Sequence, residues 1–160
     1  MTAMDAQAAP APSAAPATAE TLAAAGWRQR QLPGFIGLVG PLWTRKEEAV
    51  WAYGLLAAVA HLNPAGVVHG GLLTSLMDHA LSAIAWEAVG RRACLTVQLD
   101  THFIASAREG QFLEARGRVV RATSSLVFMQ GQVSVAGADV VTASAILKVV
   151  AGPSGHVEPG

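Results

Sequence analysis

Asp78 is a carboxylate inside an otherwise apolar part of the sequence. Its near neighbours are Leu76, Met77, Ala80 and Leu81. A carboxylate in such surroundings costs free energy unless it is paired, hydrogen-bonded or used in chemistry, so Asp78 is a candidate catalytic group. The alternative is a structural role on a polar stripe of a helix, with hydrogen bonds to Thr74 or Ser82.

The second candidate is the turn formed by His69, Gly70 and Gly71, which leads into a predicted helix. The unpaired N–H groups and the dipole of a helix start favour negative charge. Because glycine has no side chain, a substrate carbonyl can approach its backbone N–H closely. Such a donor can stabilise the oxyanion of an acyl transfer by about 3 to 4 kcal/mol. The alternative is that the glycine pair serves only as a turn.

The spacing of these two candidates limits how they can cooperate. Gly70 and Asp78 lie about 12 Å apart along a helix that rises about 1.5 Å per residue. One small carbonyl cannot contact both groups of a single chain. If both act on one substrate, Gly70 of one subunit must face Asp78 of another, as when two helices meet around a two-fold axis. Activity would then require a dimer.

The segment that carries Asp78 is predicted to be a long helix over residues 71–89, ended by Gly90. Apolar residues cover much of its circumference, so we expect other structure to wrap around it. Branched and aromatic residues predict strands over 36–46 and 50–59 before the helix, and over 94–104, 111–121, 126–135 and 140–150 after it. This order indicates an α+β domain in which one antiparallel sheet curls around one helix.

Composition divides the chain into four regions. Residues 1–18 are rich in Ala and Pro and are expected to be a disordered leader. Residues 19–34 are expected to hold a short helix over 20–25 and a loop packed onto the domain through Trp27, Leu32, Pro33 and Phe35. Residues 35–150 form the domain, and residues 151–160 a flexible tail.

The bulk composition narrows the range of partners. The chain is 52% hydrophobic and 14% charged, which favours association between subunits. Its 11 basic and 11 acidic residues are balanced and scattered, so nucleic acid is not an expected partner. Cys94 has no second cysteine to pair with and is expected to be a small core residue. No segment is typical of a signal peptide or a membrane span, so we expect a cytoplasmic protein without a membrane partner.

Residues 63–78 read N-P-x-G-x-x-H-G-G-x-x-x-x-x-x-D. This pattern resembles the signature of the phenylacetate-pathway (PaaI-like) branch of the hotdog thioesterase superfamily, which is related to 4-hydroxybenzoyl-CoA thioesterase. Residues 96–107 resemble the third strand of that family, and residues 117–133 its next hairpin. The resemblance covers about residues 30–150 and implies a hotdog fold, with five to six antiparallel strands wrapped around one long helix.

The resemblance also implies roles in the hydrolysis of a small acyl- or aryl-CoA. Asp78 would attack the thioester or activate water as a general base, and both options stay open. The N–H of Gly70 would polarise the thioester carbonyl from the partner subunit. Asn63 and His69 would position the thioester or the water, and Ser82 and Thr96 would be hydroxyls that hold the water.

For coenzyme A, which is part of the substrate rather than a cofactor, the candidate contacts are Gly71, Arg121, Ser124 and Ser125, since guanidinium and hydroxyl groups suit phosphate. Relatives commonly carry an Arg-Pro pair after the position of Phe103, where this chain has Ile104 and Ala105. Arg108 is a candidate substitute for the missing cation.

The family implies no metal, and the spacing of His61, His79 and His102 does not suggest one. It also implies a homodimer that completes the active site, and a homotetramer built from two dimers. The acyl group stays open; Trp86, Phe103, Ala83 and Ala85 are candidates for shaping its pocket.

Two other functions stay open at this point. Other hotdog proteins add water to enoyl thioesters, using an Asp and a His several residues apart, whereas here His79 directly follows Asp78 and points about 100° away around the helix. A non-catalytic acyl-CoA-binding protein is the second alternative.

Overall fold

One long helix packed inside a curved sheet forms the centre of the computed structural model, which describes residues 17–150. The elements are α1 (Ala19–Ala24), β1 (Arg28–Arg30), α2 (Phe35–Val39), β2 (Leu42–Glu47), β3 (Val50–Leu56), a 3₁₀ helix (Val59–His61), α3 (Gly70–Ala88), β4 (Cys94–Phe103), β5 (Phe112–Ala122), β6 (Leu126–Val135) and β7 (Ala138–Val149). Within the described residues, no helix is both long and apolar enough to cross a membrane.

The central helix α3 begins and ends within one residue of its predicted bounds. His69 caps its first turn, because Nδ1 accepts a hydrogen bond from the N–H of Gly71 at 2.9 Å. At the other end Gly90 takes a left-handed conformation, and the N–H of Arg91 donates to the carbonyl of Trp86, which is a glycine-based stop. The helix buries Leu73, Leu76, Met77, Ala80, Leu81, Ile84 and Ala85.

The strands form one antiparallel sheet in the order β1-β2-β3-β5-β6-β7-β4. Alternate residues of β7 are buried against the helix side: Val141, Ala143, Ala145, Leu147 and Val149. The predicted α+β hotdog fold is therefore confirmed. The predicted number of five to six strands is wrong, because the sheet has seven strands within residues 17–150. The unpredicted strand β1 has three exposed polar residues, so no apolar alternation marks it in the sequence.

The first half of the strand predicted over residues 36–46 is instead the short helix α2. Its apolar residues follow a spacing of three: Ile36 and Val39 pack against the main core, whereas Phe35 and Leu38 are exposed. Gly37 permits this turn, because a Cβ there would lie 1.8 Å from the carbonyl oxygen of Leu32. A helical period in five residues is too short to be told from a strand by sequence.

A second apolar cluster lies on the outer face of the sheet, away from α3. It contains Leu22, Trp27, Trp43, Ala52 and Phe112, with the rings of Trp27 and Phe112 edge to face at 4.8 Å. The N-terminal segment thus packs onto the domain through Trp27, as predicted, whereas Phe35 is two-thirds exposed.

The leader predicted over residues 1–18 overlaps the folded domain at its end. Thr18 caps α1, and the N–H of Ala17 donates to the carbonyl of Gly110. Residues 1–16 and the predicted tail at 151–160 lie outside the described residues. Cys94 is half-buried against the main core, where burial raises the pKa of its thiol.

Two glycines on neighbouring strands allow the sheet to approach the central helix. Gly117 and Gly131 face each other across β5 and β6. A Cβ on Gly117 would lie 2.4 Å from Leu81, and one on Gly131 would lie 2.7 Å from the backbone carbonyl of Arg116. A side-chain methyl group can move to avoid a clash more easily than a backbone carbonyl can. A substitution is therefore less tolerable at Gly131 than at Gly117.

Four charged residues form a network on the outer face near the second cluster. Arg116 donates to both carboxylate oxygens of Glu47 at 2.8 Å and to Glu114 at 2.8 Å. Arg45 also binds Glu47, and its guanidinium lies 4.6 Å from the ring centre of Trp27. The hydrogen bonds from Arg116, followed by those from Arg45, lower the pKa of Glu47 to about 2 despite an opposing effect of burial.

We predict that Gly131→Ala lowers the free energy of unfolding by about 1 to 3 kcal/mol, because the added methyl group overpacks the interface with the helix. Urea unfolding followed by circular dichroism measures this change. Ser144→Ala, an exposed position on the neighbouring strand, is the matched control and should change stability little. Equal free energies of unfolding for the two variants would contradict the close approach of the sheet to α3 at Gly131.

We predict that acid weakens the link between the N-terminal segment and the sheet. Since folding lowers the pKa of Glu47 from 4.5 to about 2, its contribution is present above about pH 5 and is lost as the pH falls toward 2. Because the pair is about one-third exposed, screening limits the contribution to about 1 kcal/mol. Glu47→Gln should lower stability at pH 7 and flatten its pH dependence between pH 5 and 2; a variant curve parallel to the unmodified one would refute this.

Candidate active site

Asp78 is held by a hydroxyl of the edge strand. Thr96 Oγ1 donates to Asp78 Oδ1 at 2.7 Å, and Ser82 Oγ lies 3.4 Å from Thr96 Oγ1. The structure therefore brings three of the predicted site residues together in one chain of hydrogen bonds. The structural alternative of a direct bond to Thr74 or Ser82 does not occur. Within residues 17–150, Asp78 Oδ2 has no hydrogen-bond partner, so one carboxylate oxygen stays available.

The start of α3 offers one available backbone donor. The N–H of Gly71 is engaged by His69, and the N–H of Leu72 donates to the carbonyl of His69. By contrast, the N–H of Gly70 has no acceptor within the described part of the chain. Phe103 lies beside it, since a Cβ on Gly70 would be 3.3 Å from the ring. Gly70 is thus an available donor next to an aromatic wall, whereas the Gly71 N–H serves the cap.

A cavity of about 340 Å³ opens beside Gly70, lined by Val67, Val68, Gly70, Leu73 and residues 103–106. Its walls are largely apolar and belong to the start of α3 and the end of β4. Of the four residues predicted to shape an acyl pocket, only Phe103 lies here. Ala85 is fully buried, Ala83 packs against the core, and Trp86 lies under the guanidinium of Arg91. Apart from Gly70, the other lining residues had no sequence signal, because tertiary packing brings them together.

His69 and Asn63 each have a structural task. Because His69 Nδ1 accepts a hydrogen bond, a neutral ring carries its proton on Nε2, which is a donor. Asn63 Oδ1 accepts from the N–H groups of Ala65 at 2.9 Å and Val67 at 3.3 Å, which holds the loop before α3. Only the NH₂ group of Asn63 and the Nε2–H of His69 are left to contact a substrate.

The structure does not bring Asp78 and Gly70 together in one protomer. Asp78 lies at Thr96, near the beginning of β4, whereas Gly70 lies at Phe103, its last residue. The two groups are also about 12 Å apart along α3. Each therefore faces a different end of the same strand.

Three of the four candidate coenzyme A residues lie at the Asp78 end of the sheet; the fourth, Gly71, lies at the start of α3, where its N–H serves the cap. Arg121 is exposed opposite Phe128, and Ser124 and Ser125 are exposed in the next turn. The carbonyl of Ser125 accepts from the N–H of Val149, and Val149 is the partner of Cys94 at the start of β4. The turn is therefore about 10 Å, or two strand spacings, from the beginning of β4. Arg108 is exposed in the loop between β4 and β5.

Of the three histidines considered as metal ligands, His61 and His79 have other partners, and His102 is exposed on β4. His61 accepts from the N–H of Ala58 and bonds to the carbonyl of Val39. His79 packs edge to face on Tyr53 at 5.6 Å, and burial lowers its pKa. Burial, with a smaller effect of Glu87, raises the pKa of Tyr53 to about 12. Across residues 17–150 no three metal-binding side chains meet in a suitable cluster.

Comparison with known proteins defines the class. Residues 65–142 match the family model of the thioesterase superfamily. The chain is 32% identical over 95 residues to "Putative esterase PA0474" of Pseudomonas aeruginosa, covering 58% of this chain and 71% of that protein. This chain belongs to the thioesterase superfamily, which confirms the predicted resemblance.

Solved structures of other proteins share this fold. A phenylacetic acid degradation-related protein of Ralstonia eutropha JMP134 superposes with a TM-score of 0.59 at 23% identity, over 83% of this chain and 92% of that one. A hypothetical thioesterase protein of Streptococcus pneumoniae, solved with coenzyme A, superposes with a TM-score of 0.60 at 19% identity, over 68% and 88%.

We predict that His69→Ala lowers the free energy of unfolding by about 1 kcal/mol, because the helix loses its capping acceptor. His69→Ser keeps an acceptor oxygen and should recover most of the loss. Urea unfolding of the two variants beside the unmodified protein measures the difference. If the Ala and Ser variants are equally destabilised, His69 does not stabilise the protein by capping α3.

Proposed function

We propose that this protein hydrolyses a small acyl- or aryl-CoA thioester to the free acid and coenzyme A. The observation that carries the proposal is a pair of available groups: the unpartnered oxygen of Asp78 and the unpartnered N–H of Gly70. A base or nucleophile and an oxyanion donor are the two groups that acyl transfer requires. Membership of the thioesterase superfamily supports the thioester as the substrate.

Thr96 orients the carboxylate for this task. Its hydroxyl donates a hydrogen bond to Asp78 Oδ1, so Asp78 Oδ2 can face the substrate or a water. Ser82, next in the chain of hydrogen bonds, is a second hydroxyl within reach of such a water. Fixing one oxygen lowers the entropy cost of bringing the other into line with the carbonyl carbon.

Hydrolysis of the thioester can follow either of two mechanisms. As a general base, Asp78 takes a proton from water, the water oxygen bonds to the carbonyl carbon, and the C–S bond breaks as the thiolate of coenzyme A leaves and is protonated. As a nucleophile, Asp78 displaces the thiolate itself and forms an anhydride, which water then hydrolyses. In both, the Gly70 N–H donates to the oxygen that becomes negative.

A complete site requires two subunits. Because Gly70 and Asp78 of one chain are about 12 Å apart, the donor at one thioester comes from Gly70 of the partner subunit. The acyl group would lie in the cavity beside Gly70, against Phe103 and Leu73, and His69 and Asn63 would position the thioester or the water. A homodimer is the smallest active unit, and pairing of dimers into a tetramer is compatible with it.

The nucleotide end of coenzyme A would then contact the turn after β5. Arg121, Ser124 and Ser125 are exposed there, at the same end of the sheet as Asp78. A guanidinium and two hydroxyls suit phosphate oxygens. The structurally related Streptococcus pneumoniae protein solved with coenzyme A supports this class of ligand.

Addition of water to an enoyl thioester is less well supported. That chemistry needs an Asp and a His acting on one substrate, but the ring of His79 packs on Tyr53, on another side of α3 from Thr96.

We predict that Asp78→Asn lowers kcat for thioester hydrolysis by about 100-fold or more, because the amide can neither take a proton nor attack. Release of free thiol from short, long and aromatic acyl-CoA esters measures the rate and identifies the acyl group. Glu87→Gln, a change of the same kind at an exposed position of the same helix, is the control and should keep full activity. Undiminished turnover by a folded Asp78→Asn protein would refute the mechanism.

A further inference from the structure

A second cavity, of about 490 Å³, lies beneath the short helix α2. Its walls are α2, residues 60–62 and the first two turns of α3. Leu72 and Ser75 line it, whereas Leu73 lines the cavity at Phe103, so the two cavities lie on different sides of α3, where successive residues are about 100° apart. A cavity of this size is in the range that holds small molecules.

This cavity reaches the candidate oxyanion donor from the side of α2. His69 and Gly71, the two chain neighbours of Gly70, both line it. Gly71 is exposed and has no side chain, and a Cβ there would lie 3.0 Å from His69 Nδ1. A thioester whose carbonyl oxygen accepts from the Gly70 N–H can therefore extend its acyl group across Gly71 as well as toward Phe103.

The polar side chains of the cavity already have hydrogen-bond partners. Ser75 Oγ donates to the carbonyl of Gly71 at 2.7 Å, and His61 uses both ring nitrogens in hydrogen bonds to backbone groups. His69 Nδ1 accepts from the N–H of Gly71, which leaves its Nε2–H. No carboxylate, lysine or arginine is among the described residues that line the cavity. An apolar group can thus replace water there without leaving a buried polar group unpaired.

Helix α2 supplies an apolar rim. Phe35 and Leu38 line the cavity, yet Phe35 is 67% exposed and Leu38 is 87% exposed. Exposed apolar side chains grouped beside a cavity are typical of a ligand-binding groove. The helix is held in place, because Ile36 packs against the main core and His61 Nε2 bonds to the carbonyl of Val39 at 2.7 Å. The rim is therefore a fixed apolar surface that a ligand in the cavity would cover.

We propose that this cavity is a second acyl chamber, which accepts large apolar acyl groups of coenzyme A esters, and that Phe35 and Leu38 select them. This inference rests on the proposed function, because it uses the Gly70 N–H as the donor to the thioester carbonyl. Small acyl groups lie beside Phe103, whereas larger apolar groups extend across Gly71 beneath α2. Each methylene group buried in the chamber raises kcat/KM by about four-fold.

The ratio of kcat/KM for octanoyl-CoA to kcat/KM for acetyl-CoA tests the chamber. Leu38→Asp places a charge on the apolar rim at an exposed position, and Ser75→Phe fills the cavity from the side of α3. Each variant should lower the ratio by about ten-fold or more. Val50→Asp, a change of the same kind at an exposed position of β3, is the matched control and should keep the ratio. Circular dichroism checks the folding of each variant.

Two results would overturn the second chamber. The first is an unchanged ratio in both Leu38→Asp and Ser75→Phe, whether or not the two rates fall together. The second is a loss of the ratio in Val50→Asp as large as in Leu38→Asp, since the added charge would then act without any contact to the cavity.

Binding measurements separate this inference from the proposed function. Titration calorimetry in an Asp78→Asn background measures the affinity for octanoyl-CoA and for acetyl-CoA. If the unmodified protein hydrolyses neither ester, but Leu38→Asp weakens the binding of octanoyl-CoA alone, the chamber stands and the reaction does not. If the unmodified protein hydrolyses both esters, but octanoyl-CoA binds no more tightly than acetyl-CoA, the reaction stands and the chamber does not.

Discussion

The hydrogen bond from Thr96 to Asp78 ties the central helix to the open edge of the sheet, and the candidate site depends on it. Within residues 17–150 the one hydrogen-bond partner of the carboxylate is Thr96 on β4, which holds the carboxylate away from the apolar core. On the core side, Gly117 and Gly131 let the sheet close against Leu81 and Met77. The same helix is thus packed tightly where it meets these glycines and carries Asp78 and Ser82 toward β4.

Under the proposed function, the two candidate reactive groups act together only in a pair of subunits. A helix is a rigid spacer, and eight residues of it separate Gly70 from Asp78 by about 12 Å. Each group lies near a different end of β4, so one thioester can contact both only if the partner subunit supplies one of them. The hydrophobic composition of 52% favours such an association between subunits.

Much of the fold could be predicted from residue pattern. The long apolar segment that contains Asp78 predicted α3 to within one residue, and the four later strands followed from alternating branched residues. Strand β1 could not be found, because Arg28, Gln29 and Arg30 are all exposed. The residues of helix α2 instead predict a strand, because five residues are too few to distinguish the helical period from the strand period. Its helical turn depends on Gly37 lying against Leu32.

Residue type and spacing predict the chemistry of the candidate site, whereas its contacts could not be predicted from the sequence. Asp78 and Gly70 were marked by unusual surroundings in the sequence, and the structure joins Thr96 and Ser82 to Asp78. The cap by His69 and the loop bonds of Asn63 are local geometry that residue type alone does not reveal. Apart from Phe103, the cavity beside Gly70 is lined by residues such as Val67 and Leu73, which would be taken for ordinary core.

Activity in mixed dimers tests the two-subunit site most directly. Asp78→Asn and Gly70→Val are prepared separately, checked for folding by circular dichroism, and mixed in equal amounts under conditions of subunit exchange. Each variant alone should lack hydrolysis. The mixture should recover about a quarter of the unmodified rate, since half of the dimers are mixed and each mixed dimer has one intact site. A mixture as inactive as its components would show that both groups do not act across the subunit interface.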